Sequence, residues 1–244
     1  DACWPGPLTL VLRRAGTVSD RVTGGLDTVG IRVPDQPVAL ALLREFGGGV
    51  AAPSANRFGR VSPTTADDVR ADLGVDVDVV LDGGRCRVGI ESTIVDVSRA
   101  APAILRLGGV APERVEEILG RSVPIVTGGE VRAPGTLASH YAPRARVLIV
   151  DDDHLTGCVH DALAAHAHVG VVAMHVPAGL DRRVVVGMPT DADDYARSLY
   201  RHLRAADARG VEVLLVVPPP AVGIGAAVAD RLRRAATPAT AAGA

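Results

Sequence analysis

In the second half of the chain, short runs of branched aliphatic residues alternate with stretches of helical periodicity. No other feature constrains the fold as strongly. Val147 to Val150 reads as a strand, Leu155 to Ala167 as a helix and Val169 to Met174 as a strand. Asp191 to Ala208 carries Tyr195, Leu199, Leu203 and Ala206 along one helical face, followed by a strand over Val211 to Val217. After the loop Pro218-Pro219-Pro220, Gly225 to Ala236 reads as a final helix. Strands separated by whole helices pair in parallel, so this region predicts a small, largely parallel α/β sheet. Its core has to be aliphatic, because 48% of residues are hydrophobic and only 2% aromatic.

The first half alternates apolar runs with Gly/Pro turns. Leu8 to Leu12 and Thr28 to Val33 read as strands, the second stopped by Pro34. Pro37 to Phe46 is a helix closed by Gly47-Gly48-Gly49. Val50 to Pro53 is expected as a short buried strand running into Ser54-Ala55-Asn56. Ser62 is the expected N-cap of a helix with Pro63 in its first turn, ending near Leu73. Strands are expected over Val79 to Leu81, Thr93 to Val97 and Ile104 to Arg106, then a helix over Pro112 to Leu119. From Val126 to Pro143 the periodicity is lost, a linker by composition. The expected division is a domain over 1–125, a linker over 126–143 and a domain over 144–244.

Several function classes are disfavoured. A net charge of -2 advertises no nucleic-acid surface overall. The three cysteines, Cys3, Cys86 and Cys158, form no CxxC pair, which favours a reducing cytoplasm over a disulfide framework or zinc knuckle. No apolar run approaches a membrane span and no signal peptide is present, so no membrane partner is expected. A Walker A lysine loop and a GxSxG elbow are both missing, and Gly223-Ile224-Gly225 lacks the third glycine of a dinucleotide fingerprint. His154, His160, His166 and His168 do not recur at i, i+4, so a solvated face is the better reading than a metal pair. No nucleophile and no protein metal site can be named.

What remains is a set of small polar residues at strand ends and turns: Thr28, Arg32, Ser54, Asn56, Ser62, Ser92, Thr93 and Arg106. In open α/β sheets ligands bind outside the carboxyl ends of strands. Ser54-Ala55-Asn56 together with Ser62 at a helix start could form an anion cradle without a Walker loop. Arg32, leaving a strand, suits a carboxylate. Singly, such residues more often cap helices or carry surface charge.

Together they resemble one family. Trp4-Pro5-Gly6-Pro7-Leu8-Thr9, Thr28-Val29-Gly30-Ile31-Arg32-Val33-Pro34, Ala52-Pro53-Ser54-Ala55-Asn56, Ser62-Pro63-Thr64 and Glu91-Ser92-Thr93-Ile94-Val95-Asp96 occur in the order of threonylcarbamoyl-AMP synthases. Leu105-Arg106-Leu107-Gly108-Gly109 resembles the family's Arg-x-Gly strand end, and Pro134 to Pro143 the linker of its two-domain branch. The resemblance implies an α/β fold: a YrdC-type twisted open sheet with helices plus a small Rossmann-like parallel α/β domain. It implies ATP contacts at Thr28, Ser54, Ser62, Arg106 and Tyr141, and L-threonine contacts at Arg32, Ala52 and Ser92. His140 and Tyr141 match a linker expected to fold over the active-site mouth.

The implied reaction forms threonylcarbamoyl-AMP and pyrophosphate from L-threonine, bicarbonate and ATP, with Mg²⁺ accompanying ATP. The product would feed the machinery that places threonylcarbamoyl on tRNA adenosine, in the cytoplasm. Family members carry a Thr-x-Tyr-Gly-Leu turn and a Lys-x-Arg-Pro motif before the Trp-Pro-Gly-Pro segment. Neither occurs here, and the chain contains no Lys, so its first domain is expected to lack its front. An alternative is a non-catalytic YrdC-like module that binds nucleotide or double-stranded RNA.

Overall fold

The computed structural model describes residues 2–126 and 142–237. In chain order its elements are β1 (Leu8–Arg13), α1 (Asp20–Thr23), β2 (Thr28–Ile31), α2 (Pro37–Phe46) and α3 (Ala66–Leu73). Next come β3 (Thr93–Asp96), β4 (Ala103–Arg106), α4 (Pro112–Leu119), β5 (Arg146–Ile149) and α5 (Leu155–Ala165). The last are β6 (Val169–Val172), β7 (Val185–Gly187), α6 (Ala192–Ala208), β8 (Val213–Val216) and α7 (Ile224–Ala236). The described residues form two compact units, one of 2–54, 81–84 and 91–126, the other of 55–80, 85–90 and 142–237. The chain is thus a mixed α/β protein.

The first unit holds a four-stranded sheet in the order β2-β1-β3-β4. Strand β1 is antiparallel to β2 and parallel to β3, and β3 is antiparallel to β4. Alternation along β1 sends Leu8 and Leu10 to one face, where they pack with Val95, Ile104, Val110, Val115 and Val123. Helix α4 supplies Val115 to this core, begins with Pro112 in its first turn and ends at left-handed Gly120. Helix α2 has the expected bounds, capped by the Gln36 side chain and stopped by Gly47 at φ 70°. None of its residues is buried.

Two expected strands are not formed. Residues 50–53 and 79–81 are irregular, and Val50, Val79 and Leu81 are exposed. Apolar runs become strands only by pairing, and neither run has a ladder partner among the described residues; Pro53 also lacks an N–H to offer one.

The second unit contains a fully parallel sheet in the order β5-β8-β6-β7. Every residue of β6 and β8 is buried, as expected of strands covered on both faces. Val169, Val171, Val213 and Leu215 meet Leu155 and Val159 of α5. Helix α6 packs on β7 and α7, and α7 packs on β5. The predicted stripe of α6 holds, with Tyr195, Leu199, Leu203 and Ala206 all at most 1% exposed. Gly170 is small of necessity: a Cβ there would stand 2.8 Å from Val186 Cγ2 and 2.9 Å from Leu214 Cδ1. Arg204 of α6 binds Asp72 of α3 and donates to Val61 O at 2.6 Å, fastening the 61–72 segment within this unit.

Candidate functional site

The register of the first sheet brings several of the expected residues to one edge. Leu10 pairs with Ile31, so the start of β1 lies beside the end of β2, from which Arg32 follows. Leu8 pairs with Thr93, so the same end of β1 flanks the start of β3, preceded by Ser92. Arg106, the last residue of β4, pairs with Ile94. Arg32, Ser92 and Arg106 therefore share one edge of the sheet. Thr28 pairs with Arg13 at the other end, ~10 Å along β2 from Ile31 at the usual strand rise.

Ser92 is the centre of a hydrogen-bond cluster. Arg106 donates to Ser92 O from Nε at 3.1 Å and from Nη2 at 2.9 Å, and Nη2 also reaches Ser92 Oγ at 3.1 Å. Between Ile94 and Val95 the β3–β4 register shifts. Ile104 pairs with Val95 but Arg106 with Ile94, and such a bulge re-aims the side chain that follows it. On the other side, Thr9 Oγ1 lies 2.7 Å from Ser92 Oγ. Thr9 alternates with the core residues Leu8 and Leu10, and this alternation is the sequence signal that places it on the face opposite the core. No role was expected of it beyond membership of the Trp4-to-Thr9 segment.

The backbone around Ser92 is fixed from below. Thr93 is fully buried; its hydroxyl donates to Val110 O at 2.6 Å and accepts from Val110 N at 2.9 Å. Gly109 N donates to Glu91 O at 3.0 Å. A Cβ on Gly108 would stand 2.4 Å from Glu91 O, so only glycine lets the Leu107-Gly108-Gly109 turn lie against Glu91-Ser92.

Arg32, Ala52 and Ser54 are exposed and Thr28 is half-buried. Among the described residues the Arg32 guanidinium makes no hydrogen bond or ion pair, leaving a cation available at the sheet edge. Asn56 donates from Nδ2 to Arg57 O and Arg60 O, pinning the turn at 57–60.

The expected cap at Ser62 is corrected. Helix α3 begins at Ala66, with Thr65 as N-cap in a capping box with Asp68. Asp68 accepts from the amides of Thr64 and Thr65 and from the Thr64 hydroxyl. Burial pushes its carboxyl up, but the hydrogen bonds from Thr64 and Thr65 and the charge of Arg204 outweigh this and hold it below the usual range. The Asp68 carboxylate thus occupies the N-terminus of α3. Ser62 itself is buried within the second unit. His140 and Tyr141 lie outside the described residues.

Sequence reasoning missed His202, on α6. His202 is 7% exposed, its Nδ1 has no partner among the described residues, and its ring lies against Gly187. Desolvation first, then the charge of Arg201, lowers its pKa to about 4. Burial pushes the Tyr195 phenol up. Among the described residues no group of three or more His, Cys, Asp or Glu is placed to hold a metal ion.

Comparison with known proteins shows the family of the chain. The family model described as telomere recombination matches residues 1–108, and that of the threonylcarbamoyl-AMP synthase C-terminal domain matches residues 110–237. The chain is 38% identical to threonylcarbamoyl-AMP synthase of Pyrococcus abyssi over 95% of its own length and 71% of that protein. It is 36% identical to the Bacillus subtilis enzyme over 96% and 70%. A crystal structure of Pyrococcus abyssi Sua5 complexed with L-threonine superposes with a TM-score of 0.87 at 36% identity, over 96% of this chain and 71% of that one. The chain belongs to the threonylcarbamoyl-AMP synthase family of nucleotidyltransferases, in its two-domain form.

Proposed function

We propose that L-threonine binds at the edge of the first sheet formed by Arg32, Ser92 and Arg106. There it is converted with bicarbonate and ATP into threonylcarbamoyl-AMP, pyrophosphate and water. The observation that carries this reading is the register that sets Arg32, whose guanidinium is unpaired among the described residues, at the same end of the sheet as the hydrogen-bonded Ser92–Arg106 pair. The crystal structure with L-threonine is of a relative matched over nearly the whole chain.

The chemistry asks for positioning more than for a nucleophilic side chain. Bicarbonate carboxylates the threonine amine with loss of water, and an oxygen of the resulting carbamate attacks the α-phosphorus while pyrophosphate leaves. Arg32 holds the threonine carboxylate through a two-pronged, charge-assisted contact. Ser92 offers a hydroxyl already oriented by its neighbours, and Arg106 places fixed positive charge beside it, where charge develops in the transition state. Mg²⁺ would arrive with ATP and neutralise phosphate charge. Contacts to L-threonine at Ala52, and to ATP at Thr28, Ser54, Ser62, Arg106 and Tyr141, are proposed on the resemblance.

The product would serve tRNA threonylcarbamoyladenosine formation in the cytoplasm; among the described residues no helix is long and apolar enough to cross a membrane. The test is to supply ATP, L-threonine and bicarbonate to the full-length protein and search for the adenylate by mass spectrometry. Product that requires all three substrates is expected. Nucleotide binding with no adenylate would leave a binding module instead.

A further inference from the structure

Among the described residues, the Thr9 hydroxyl is one of the two side-chain groups that hold the Ser92 hydroxyl. We propose that Thr9 is a positioning residue for L-threonine, fixing the direction in which Ser92 presents its remaining hydrogen-bonding capacity. The proposal rests on the reading of Ser92 as a threonine contact.

A serine hydroxyl has one proton and two lone pairs. A guanidinium can only donate, so Arg106 Nη2 at 3.1 Å occupies one lone pair of Ser92 Oγ. Thr9 Oγ1, at 2.7 Å, takes a second position, either the proton or the other lone pair. Whichever hydroxyl donates, a single capacity is left on Ser92, and its direction is set by the other two. Without Thr9 the Ser92 hydroxyl would rotate about the Arg106 contact and present either polarity to a ligand.

Thr9 is itself well held for this task. It lies inside β1, between the core residues Leu8 and Leu10, and β-branching restricts its χ1. Its methyl group, Cγ2, is 3.4 Å from where a Cβ on Gly30 of β2 would stand. The methyl group thus faces β2 at ordinary contact distance while the hydroxyl faces Ser92. Among the described residues Ser92 is the hydroxyl's hydrogen-bond partner.

The experiment compares Thr9→Val, Thr9→Ser and Ser92→Ala in the full-length protein, reading KM for L-threonine and for ATP separately. Valine keeps the branched shape and removes the hydroxyl; serine does the reverse. Thr9→Val is expected to raise KM for L-threonine about tenfold, the effect of one oriented hydrogen bond, with KM for ATP unchanged. Thr9→Ser should restore most of the loss. An unchanged threonine KM in Thr9→Val, when Ser92→Ala raises it, would overturn the role of Thr9 and leave the threonine site standing. An unchanged value in Ser92→Ala would overturn both. Equal damage from Val and Ser, or a matching rise in KM for ATP, would reduce Thr9 to a packing residue and refute the proposal.

Discussion

His202 should make the second unit sensitive to mild acid, and the size of the effect can be worked from its surroundings. The imidazole is buried against Gly187 between α6 and β7, with Arg201 and Arg209 disfavouring its charge and Asp194 favouring it. Its pKa in the fold is about 4, lowered mainly by desolvation and next by Arg201. In the unfolded chain it returns to about 6.5. Above that pH both states hold a neutral ring and stability does not depend on this group. As pH falls through 6.5 the unfolded chain gains a proton that the folded chain refuses, so stability is lost, and the loss levels off below the folded value. The two pKa values give about 2 kcal/mol lost at pH 5 and about 3 kcal/mol at pH 4. Replacing the ring with a non-titrating amide, His202→Gln, should remove this component. Urea unfolding can be followed by near-ultraviolet circular dichroism of Tyr195 and Tyr200, both on α6 and fully buried. Between pH 7.5 and pH 5 the wild type should lose about 2 kcal/mol more than the variant. Parallel losses in the two proteins would refute the burial of a neutral His202.

Gly108→Ala would place a methyl group 2.4 Å from Glu91 O and 2.5 Å from Thr93 N, both backbone atoms that cannot swing aside. It should cost roughly 2 kcal/mol or more and lower the melting temperature, whereas an unchanged melt would contradict the packing of this turn on Ser92. Arg204→Ala removes the cation shared by Asp72 and Val61 O, a pair with both side chains about one-fifth exposed. A loss of about 2 kcal/mol in chemical denaturation is expected, between the values for exposed and buried pairs, and Arg204→Lys should recover less than half because it cannot reproduce the fork.

Much of the fold was legible because its signals are local. Helix α2 is bracketed by Pro37 and left-handed Gly47, and both bounds follow from those two residues. The buried stripe of α6 follows from spacing alone. His202, three residues after Leu199, falls on the same stripe, so its burial was open to the same reasoning. The failures are non-local. Residues 50–53 and 79–81 have strand composition, but a strand exists only if another pairs with it. Conversely, β7 is only Val185–Gly187 and gains its identity from lying beside β6. At α3, the Thr65–Asp68 capping box outcompeted the Ser62-Pro63 signal. In the candidate site, Arg32, Ser92 and Arg106 were named as polar residues at strand ends and turns and given their roles by resemblance, but their place at one end of the sheet is a consequence of register. The Thr9–Ser92 contact spans 83 residues of sequence, and only the parallel pairing of β1 with β3 makes it.

In the proposed function, the end of the sheet carrying Arg32 and Ser92 binds L-threonine. Titration of L-threonine and, separately, of ATP into the wild type and Arg32→Ala by calorimetry tests it most directly. A charge-assisted two-pronged contact contributes roughly 1.5–3 kcal/mol, so the variant should bind L-threonine at least tenfold more weakly while its affinity for ATP stays within about twofold. Equal loss of both ligands would make Arg32 a folding residue, and undiminished threonine binding would place the site elsewhere.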